Sequence, residues 1–433
     1  MNKEASTTMR KAIAFAASLL VMGTFTAAAT KKMSEAELDR LHSIIAETRI
    51  TLANATTTLE RLEFELAGSM ASVRGSALNG TATIADGLKI DTLVRKTSIP
   101  KTGKPDVVGA FRFQCGPSHL AYADPIVSPN KEAAHLHVLF GNTKADENST
   151  YASLRSSGES TCRNEANRSA YWVPAVIGRD RSDHEVVIMP TYFNIYYKRR
   201  PKSDPYWAET GVTPMEIPRG LRYVFGGPTG ANASSDDQVK PTFKCVPIDK
   251  RPMPKAGRDQ QAMERVLAVC NRPGDQVFIS ISSPSCWNGK SLDSADHRSH
   301  MGKKIRDKST NWKSQCNPKT HPYEIARFTL TTVLTVKVGD RPQTWVPSSG
   351  MLASTSAGEG VWDTWHADWF GAWNDDIMAR WHANCIDKLL SCSSGNLGDG
   401  QMLDANQLTK QSMNQNQRLP IPPRRGQASH THQ

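Results

Sequence analysis

Ala134-His135-Leu136-His137-Val138-Leu139-Phe140-Gly141 (residues 134–141) alternates imidazole with aliphatic side chains and closes on a glycine. In an extended chain successive side chains point to opposite faces. His135 and His137 therefore share one face, while Leu136, Val138 and Phe140 enter a core. Four more runs have β-type composition: Glu185–Met189, Tyr192–Tyr197, Gln276–Ile281 and Arg327–Val338. Turn residues separate them, and the strand–helix alternation of a βαβ fold is missing. The expected fold is mainly β: a sandwich-like β-rich domain with long loops and a few helices, preceded by an N-terminal amphipathic helix.

Two helices are expected inside that domain. One spans about Asp259–Cys270. The other starts with Asn374 as N-cap, carries Asp375 and Asp376 in its first turn, and buries Ile377, Trp381, Cys385 and Leu389.

Outward from the domain the chain changes character. Arg10 and Lys11 precede an apolar stretch from Ala12 to Phe25, followed by Ala27-Ala28-Ala29. A charged start, a short apolar middle and an A-x-A end form a secretory signal peptide. The stretch is shorter than the ~20 residues a membrane-spanning helix needs, and no later segment qualifies. A secreted or periplasmic location without a transmembrane segment follows. Leu38, Leu41, Ile45, Thr48, Leu52, Ala55, Leu59, Leu62 and Leu66 then alternate spacings of three and four. This is a heptad seam, opened by the capping box Ser34…Glu37 and stopped by Gly68. It reads either as a coiled coil joining copies of the chain through residues 38–66, or as one amphipathic helix packed on the main domain. The expected boundaries are a signal peptide at 1–29, the helix at 34–67, a linker at 68–105, the β-rich domain at 106–392 and a disordered Gln-rich tail at 393–433.

Lys and Arg outnumber Asp and Glu by 53 to 42, a net charge of +11 in 433 residues. Outside the cytoplasm such an excess suits an acidic polysaccharide or an anionic envelope. The chain has no RNP-type motif, helix-turn-helix signature or CxxC…CxxC pair, so no nucleic-acid partner is expected. The even count of 8 cysteines reads as disulfides in an exported protein. Connectivity stays open, with Cys385–Cys392 and Cys286–Cys316 the closest plausible pairs.

Histidine gathers in three places. His135 and His137 could bind a metal or polarise a substrate, or could simply face solvent. The run Ser285–His300 holds Lys290, Asp293, Asp296, His297, Arg298 and His300, with Asp296 able to orient a neighbouring imidazole. Its alternative is a polar loop that satisfies its own backbone. His366-Ala367-Asp368 places His and Asp on one side of an extended segment, amid Trp362, Trp365, Trp369 and Trp373. Those indoles are either core or a stacking platform for sugar rings. His321 and, more weakly, His119 are further candidates.

Asp124–Pro129, His135–Gly141, Ser169–Ala175, Ser285–His300, Thr320-His321-Pro322 and His366–Asp368 occur in that order. Together they resemble a secreted family catalogued as a domain of unknown function, numbered nineteen ninety-six. The resemblance covers about Asp106 to Cys385 and implies an extracellular domain linked to cell-wall glycans. It names no reaction.

The leading expectation is a secreted glycan-active enzyme that cleaves or modifies a cell-wall or acidic polysaccharide. His135, His137, Asp296, His297, His300, His366 and Asp368 should converge on one cleft as its catalytic set. Lys290, Arg298, Tyr171, Trp172, His321 and Trp365 should contact substrate. As a lyase, Arg298 or Lys290 would neutralise a uronate carboxylate and a histidine or Tyr171 would take the proton. As a glycoside hydrolase, Asp296 and Asp368 would form the carboxylate pair. The alternatives are a metal-dependent hydrolase, with a divalent metal at His135, His137 and His366, and a non-catalytic binder of polysaccharide or envelope.

Overall fold

The computed structural model describes residues 80–100, 107–227, 239–306, 314–352 and 360–425, with Lys308 and scattered positions between Ser34 and Ala55. The chain divides into units 1–55 and 56–433. In the first unit the expected capping box forms: Ser34 N donates to Glu37 Oε2 at 2.9 Å, and Glu37 N donates to Ser34 Oγ at 3.3 Å. The signal segment 1–29, most of the heptad seam and residues 426–433 lie outside the described residues.

Among the described residues, beside two four-stranded sheets and a two-stranded pair, two large, mainly antiparallel sheets build the core of the second unit. Their strands, numbered in chain order, are β1 (Gly109–Cys115), β2 (Pro117–Ala121), β3 (His137–Gly141), β4 (Ala170–Pro174), β5 (Tyr192–Arg199), β6 (Arg222–Gly226), β7 (Thr242–Val246), β8 (Gln276–Ser282), β9 (Arg327–Thr335), β10 (His366–Phe370) and β11 (Ser391–Cys392). The five-stranded sheet runs β6-β10-β4-β3-β2, and the six-stranded sheet runs β7-β8-β9-β5-β1-β11. Within these two sheets, among the described residues, β11 alone pairs in parallel, against β1. The inner faces meet in one core: Phe140 of β3 stacks on Phe193 of β5 at 4.2 Å, and Trp369 of β10 meets Phe328 of β9 at 5.1 Å. Each such ring contributes roughly 1.5–3 kcal/mol by leaving water. The sandwich-like, mainly β fold is thus present.

The five-stranded sheet is buried on both faces. Leu139, Trp172, Val224 and Phe370 pack a second, smaller core with Ile126, Tyr151 and Leu154. Double burial explains why β3 and β4 read as nearly continuous apolar runs.

Two expected helices are found. α1 (Gln260–Val269) is capped by Asp259, whose carboxylate accepts from Ala262 N. α2 (Asp375–Trp381) is capped by Asn374, whose side-chain oxygen accepts from Ile377 N at 3.1 Å. Leu389 departs from expectation. A π-helical turn at His382–Ile386 shifts the phase, so Leu389 is exposed at positive φ and Leu390 is buried instead.

All eight cysteines pair: Cys115–Cys162, Cys245–Cys270, Cys286–Cys316 and Cys385–Cys392. Among the described residues, no helix is long and apolar enough to cross a membrane.

The expected linker and tail need correction, because both are tied into the domain. Asp86 pairs with the buried Arg155 and accepts from Asn374 Nδ2 at 2.9 Å. Val94–Lys96 forms a strand against Gln401–Leu403. In the tail, the Asn and Gln side chains that suggested disorder serve the backbone. Asn406 caps the helix Gln407–Ser412 through Thr409 N at 2.8 Å and donates to Ser160 O at 3.1 Å, while Leu403 is fully buried.

Candidate metal centre

His137 and His366 start two strands that flank β4. His137 is in register with Pro174 of β4, and His366 with Gly226 of β6; the next row is Leu139, Trp172, Asp368 and Val224. All these side chains leave the same face of the sheet. Two strand spacings, roughly 9.6 Å, separate β3 from β10, yet the His137 and His366 rings lie only 5.9 Å apart, leaning toward each other. His135, two residues ahead of His137, adds the third ring at 4.3 Å from His137 and 5.0 Å from His366.

The backbone around these rings is pinned. Leu136 O accepts from Ala175 N at 2.9 Å and from Ser348 Oγ at 2.6 Å. Arg424 donates to the carbonyls of Ala133 and Ala134, just before His135. Beside His366 the chain needs glycine. Gly226 has φ +86°, and a Cβ there would sit 2.3 Å from Ile281 Cδ1 and 2.8 Å from Trp365 O.

Hydrogen bonding then orients the rings. His137 Nδ1 lies 3.0 Å from Ala123 O, and His366 Nδ1 lies 2.9 Å from Thr364 O. A carbonyl can only accept, so Nδ1 carries the proton in both rings and each Nε2 offers a lone pair. His137 Nε2 is buried without a partner. His366 Nε2 is 3.2 Å from His135 Nε2, and one candidate ligand atom from each histidine lies within 4.8 Å of the others. Burial drives His135 down to about 4 and His366 to about 3, and holds His137 far below the ordinary imidazole value. All three are neutral at neutral pH, the form that binds metal. A backbone carbonyl on the far nitrogen is the usual outer partner of a metal-bound histidine. The three residues named for a divalent metal therefore have the geometry to hold one. Cys245, Cys270 and Asp275 also cluster, but the two sulfurs are joined in a disulfide and Arg251 pairs with Asp275.

Asp368 completes the site. It is fully buried, neither oxygen has a hydrogen-bond partner, and Oδ2 is 3.6 Å from His366 Nε2. Burial and the Asp124 charge hold its carboxyl well above the ordinary range, opposed by the Arg298 charge. Arg298 itself keeps Nε and Nη2 buried without partners. It arrives on the loop beside β6, where Val224 N donates to His297 O at 3.0 Å.

The seven residues expected to converge do not all do so. His135, His137, His366 and Asp368 gather, with Arg298 acting on Asp368 and His366. His297 lies on the Arg298 loop and its charge acts on Asp124, but its Nδ1 is held by Asp293 Oδ1 at 2.9 Å, not by Asp296. Asp296 is turned into its own loop, accepting from Ser294 Oγ and from Arg298 N and Ser299 N. His300 is fully buried, with Nδ1 against Ser294 Oγ and Nε2 against Arg222 O.

The substrate contacts also need correction. Tyr171 projects from the opposite face of β4 into the main core, its hydroxyl 2.9 Å from that of Tyr197. Trp172 and Trp365 are fully buried, and Trp362, Trp369 and Trp373 are core as well, so among the described residues no indole platform faces solvent. His321 sits apart on Ser299 O and Thr320 Oγ1, and Lys290 is exposed in the turn after Asn288. Sequence reading overlooked Asp124 and Arg424. Asp124 caps its own turn through Ile126 N and Val127 N, which its place before a proline hinted at. Arg424 lies far along the chain and gave no signal.

No curated protein and no solved structure matches this chain. Residues 124–373, more than half of it, match the family described as Domain of unknown function (DUF1996), and this span takes in every histidine of the centre together with Asp368. The chain belongs to the DUF1996 family.

Proposed function

We propose that this chain is an exported metal-dependent hydrolase of extracellular or cell-wall polysaccharide, working at His135, His137 and His366. The observation that carries the reading is the pair of carbonyl-anchored rings, His137 and His366, whose Nε2 lone pairs face one spot beside His135. The 3.2 Å between His135 Nε2 and His366 Nε2 matches the roughly 3.3 Å expected of two nitrogens bound to one tetrahedral zinc at 2.0–2.1 Å. His135, His137 and His366 would hold the metal, which would polarise a water for attack at neutral pH. Asp368, the unpartnered carboxyl beside the rings among the described residues and held protonated by burial, gives its proton to the leaving oxygen of the cleaved bond. Arg298 neutralises an anionic group of the substrate.

Burial of Tyr171 removes its support as a lyase base, and the inward turn of Asp296 removes support for a carboxylate pair. Export is supported by the sequence of the first 29 residues and by four disulfides, which persist in oxidising compartments. The polysaccharide substrate is supported by that location together with the basic net charge. A reducing-end assay on neutral and acidic polysaccharides, with and without EDTA, tests the proposal. Release of reducing ends that stops with EDTA and returns with added zinc supports it. Release that ignores EDTA, or none on any polymer, overturns it.

A further inference from the structure

The six-stranded sheet turns its second face outward, and that face is unusual in charge. Arg112, Tyr196, Thr329 and Ser282 stand side by side on β1, β5, β9 and β8. The next row consists of amide and hydroxyl groups from Gln114 to Thr331. Arg327 and Lys244 are exposed at opposite corners. No outward position of β1, β5, β7, β8 or β9 is Asp or Glu.

At the β1 end lies a shallow cavity of about 400 Å³, lined by Arg112, Arg163, Asn194 and Ser394 among others. The Nε groups of both arginines are buried there without hydrogen-bond partners. Arg112 Nη2 is held by Ser391 Oγ at 2.7 Å and Arg163 Nη2 by Leu403 O at 2.8 Å, so both guanidinium groups are fixed in place. Two positioned guanidinium groups lining a depression that continues into rows of hydroxyl and amide groups fit a ligand with many hydroxyls and regularly spaced negative charge.

We infer that the outward face of the six-stranded sheet is a second, non-catalytic binding surface for an extended carboxylate-bearing polysaccharide. Nucleic acid fits less well. Single strands are gripped by open aromatic faces on which bases stack, but the Tyr196 ring is covered by Arg112 at 5.3 Å and Lys198 at 5.0 Å. The inference goes beyond the proposed reaction and uses residues of the other sheet, so either can fail alone.

The test is affinity electrophoresis of the full chain through gels containing polygalacturonate, a neutral hydroxyethylcellulose control, or a single-stranded DNA competitor. The wild type should be retarded by polygalacturonate only, less so at higher salt. Arg112→Glu combined with Lys244→Glu and Arg327→Glu should weaken retardation by roughly tenfold or more, with thermal unfolding and zinc content unchanged. The matching Arg112→Lys and Arg327→Lys variant should still bind. Absent retardation of the wild type, equal retardation by the neutral polymer, undiminished retardation of the charge-reversed variant, or displacement by DNA at lower concentration than by uronate would each overturn the inference.

Discussion

His135 Nε2 lies 3.2 Å from His366 Nε2, although 231 residues separate them in sequence. The approach needs a pinned backbone on one side and glycines on the other. Gly226 tests the second requirement. Gly226→Ala would place a methyl against Ile281 and the Trp365 carbonyl at a backbone angle that disfavours side chains. The expected loss of stability is about 1–3 kcal/mol, with weakened zinc binding as His366 is displaced. Denaturant melts and zinc titration check both. An unchanged melt would mean that the chain relaxes freely there.

Asp368→Asn preserves shape but removes the proton-transferring carboxyl. Metal content should stay, while turnover falls by about 10²–10⁴-fold. The melting temperature should change little, because one buried, unpartnered neutral group replaces another of the same shape. Full turnover in the variant would remove Asp368 from the reaction.

Acid should destabilise the domain well above the carboxylate range. Burial pushes His300 down to about 4 and holds His382 far below its ordinary value. An unfolded imidazole titrates near 6.5 and takes up a proton that the folded ring refuses. Stability is therefore full above that pH and declines below it, by about 1.4 kcal/mol per unit for each such ring. His300 alone should remove about 1.6 kcal/mol between pH 6.5 and 5. Urea titrations at these two pH values, on wild type and His300→Gln, should show a shallower loss in the variant. Equal slopes would contradict it.

The four disulfides predict no free thiol in the native protein. Thiol titration under denaturant, before reduction, should read near zero, and two or more free thiols per chain would contradict the pairing.

How legible this was varies by physical cause. Period-two alternation at 137–140 and 366–370 puts His137, His366 and Asp368 on one face, because strand geometry is local, whereas His135 lies in the bend before β3 and not in the strand expected over 134–140. Asn374 and Asp259 announced their helices for the same reason. Near pairs such as Cys385–Cys392 are plausible from their short separation while connectivity stays open, whereas Cys115–Cys162 depends on how β1 packs. Long-range packing hid the rest. The tryptophans became core because both faces of the five-stranded sheet are covered, and the Gln-rich tail is held by Leu403 and Asn406. Asp296 and Asp293 look alike in sequence, and only the loop's turn decides which one meets His297.

Metal content tests the central claim most directly. Protein expressed from the full-length sequence should hold about one equivalent of divalent metal per chain by plasma mass spectrometry. It should lose that metal to EDTA and recover it from zinc, and His135→Gln combined with His366→Gln should hold less than roughly a tenth as much while remaining folded. A native protein that neither carries nor takes up metal, or a double variant that binds it as well as the wild type, would contradict the account.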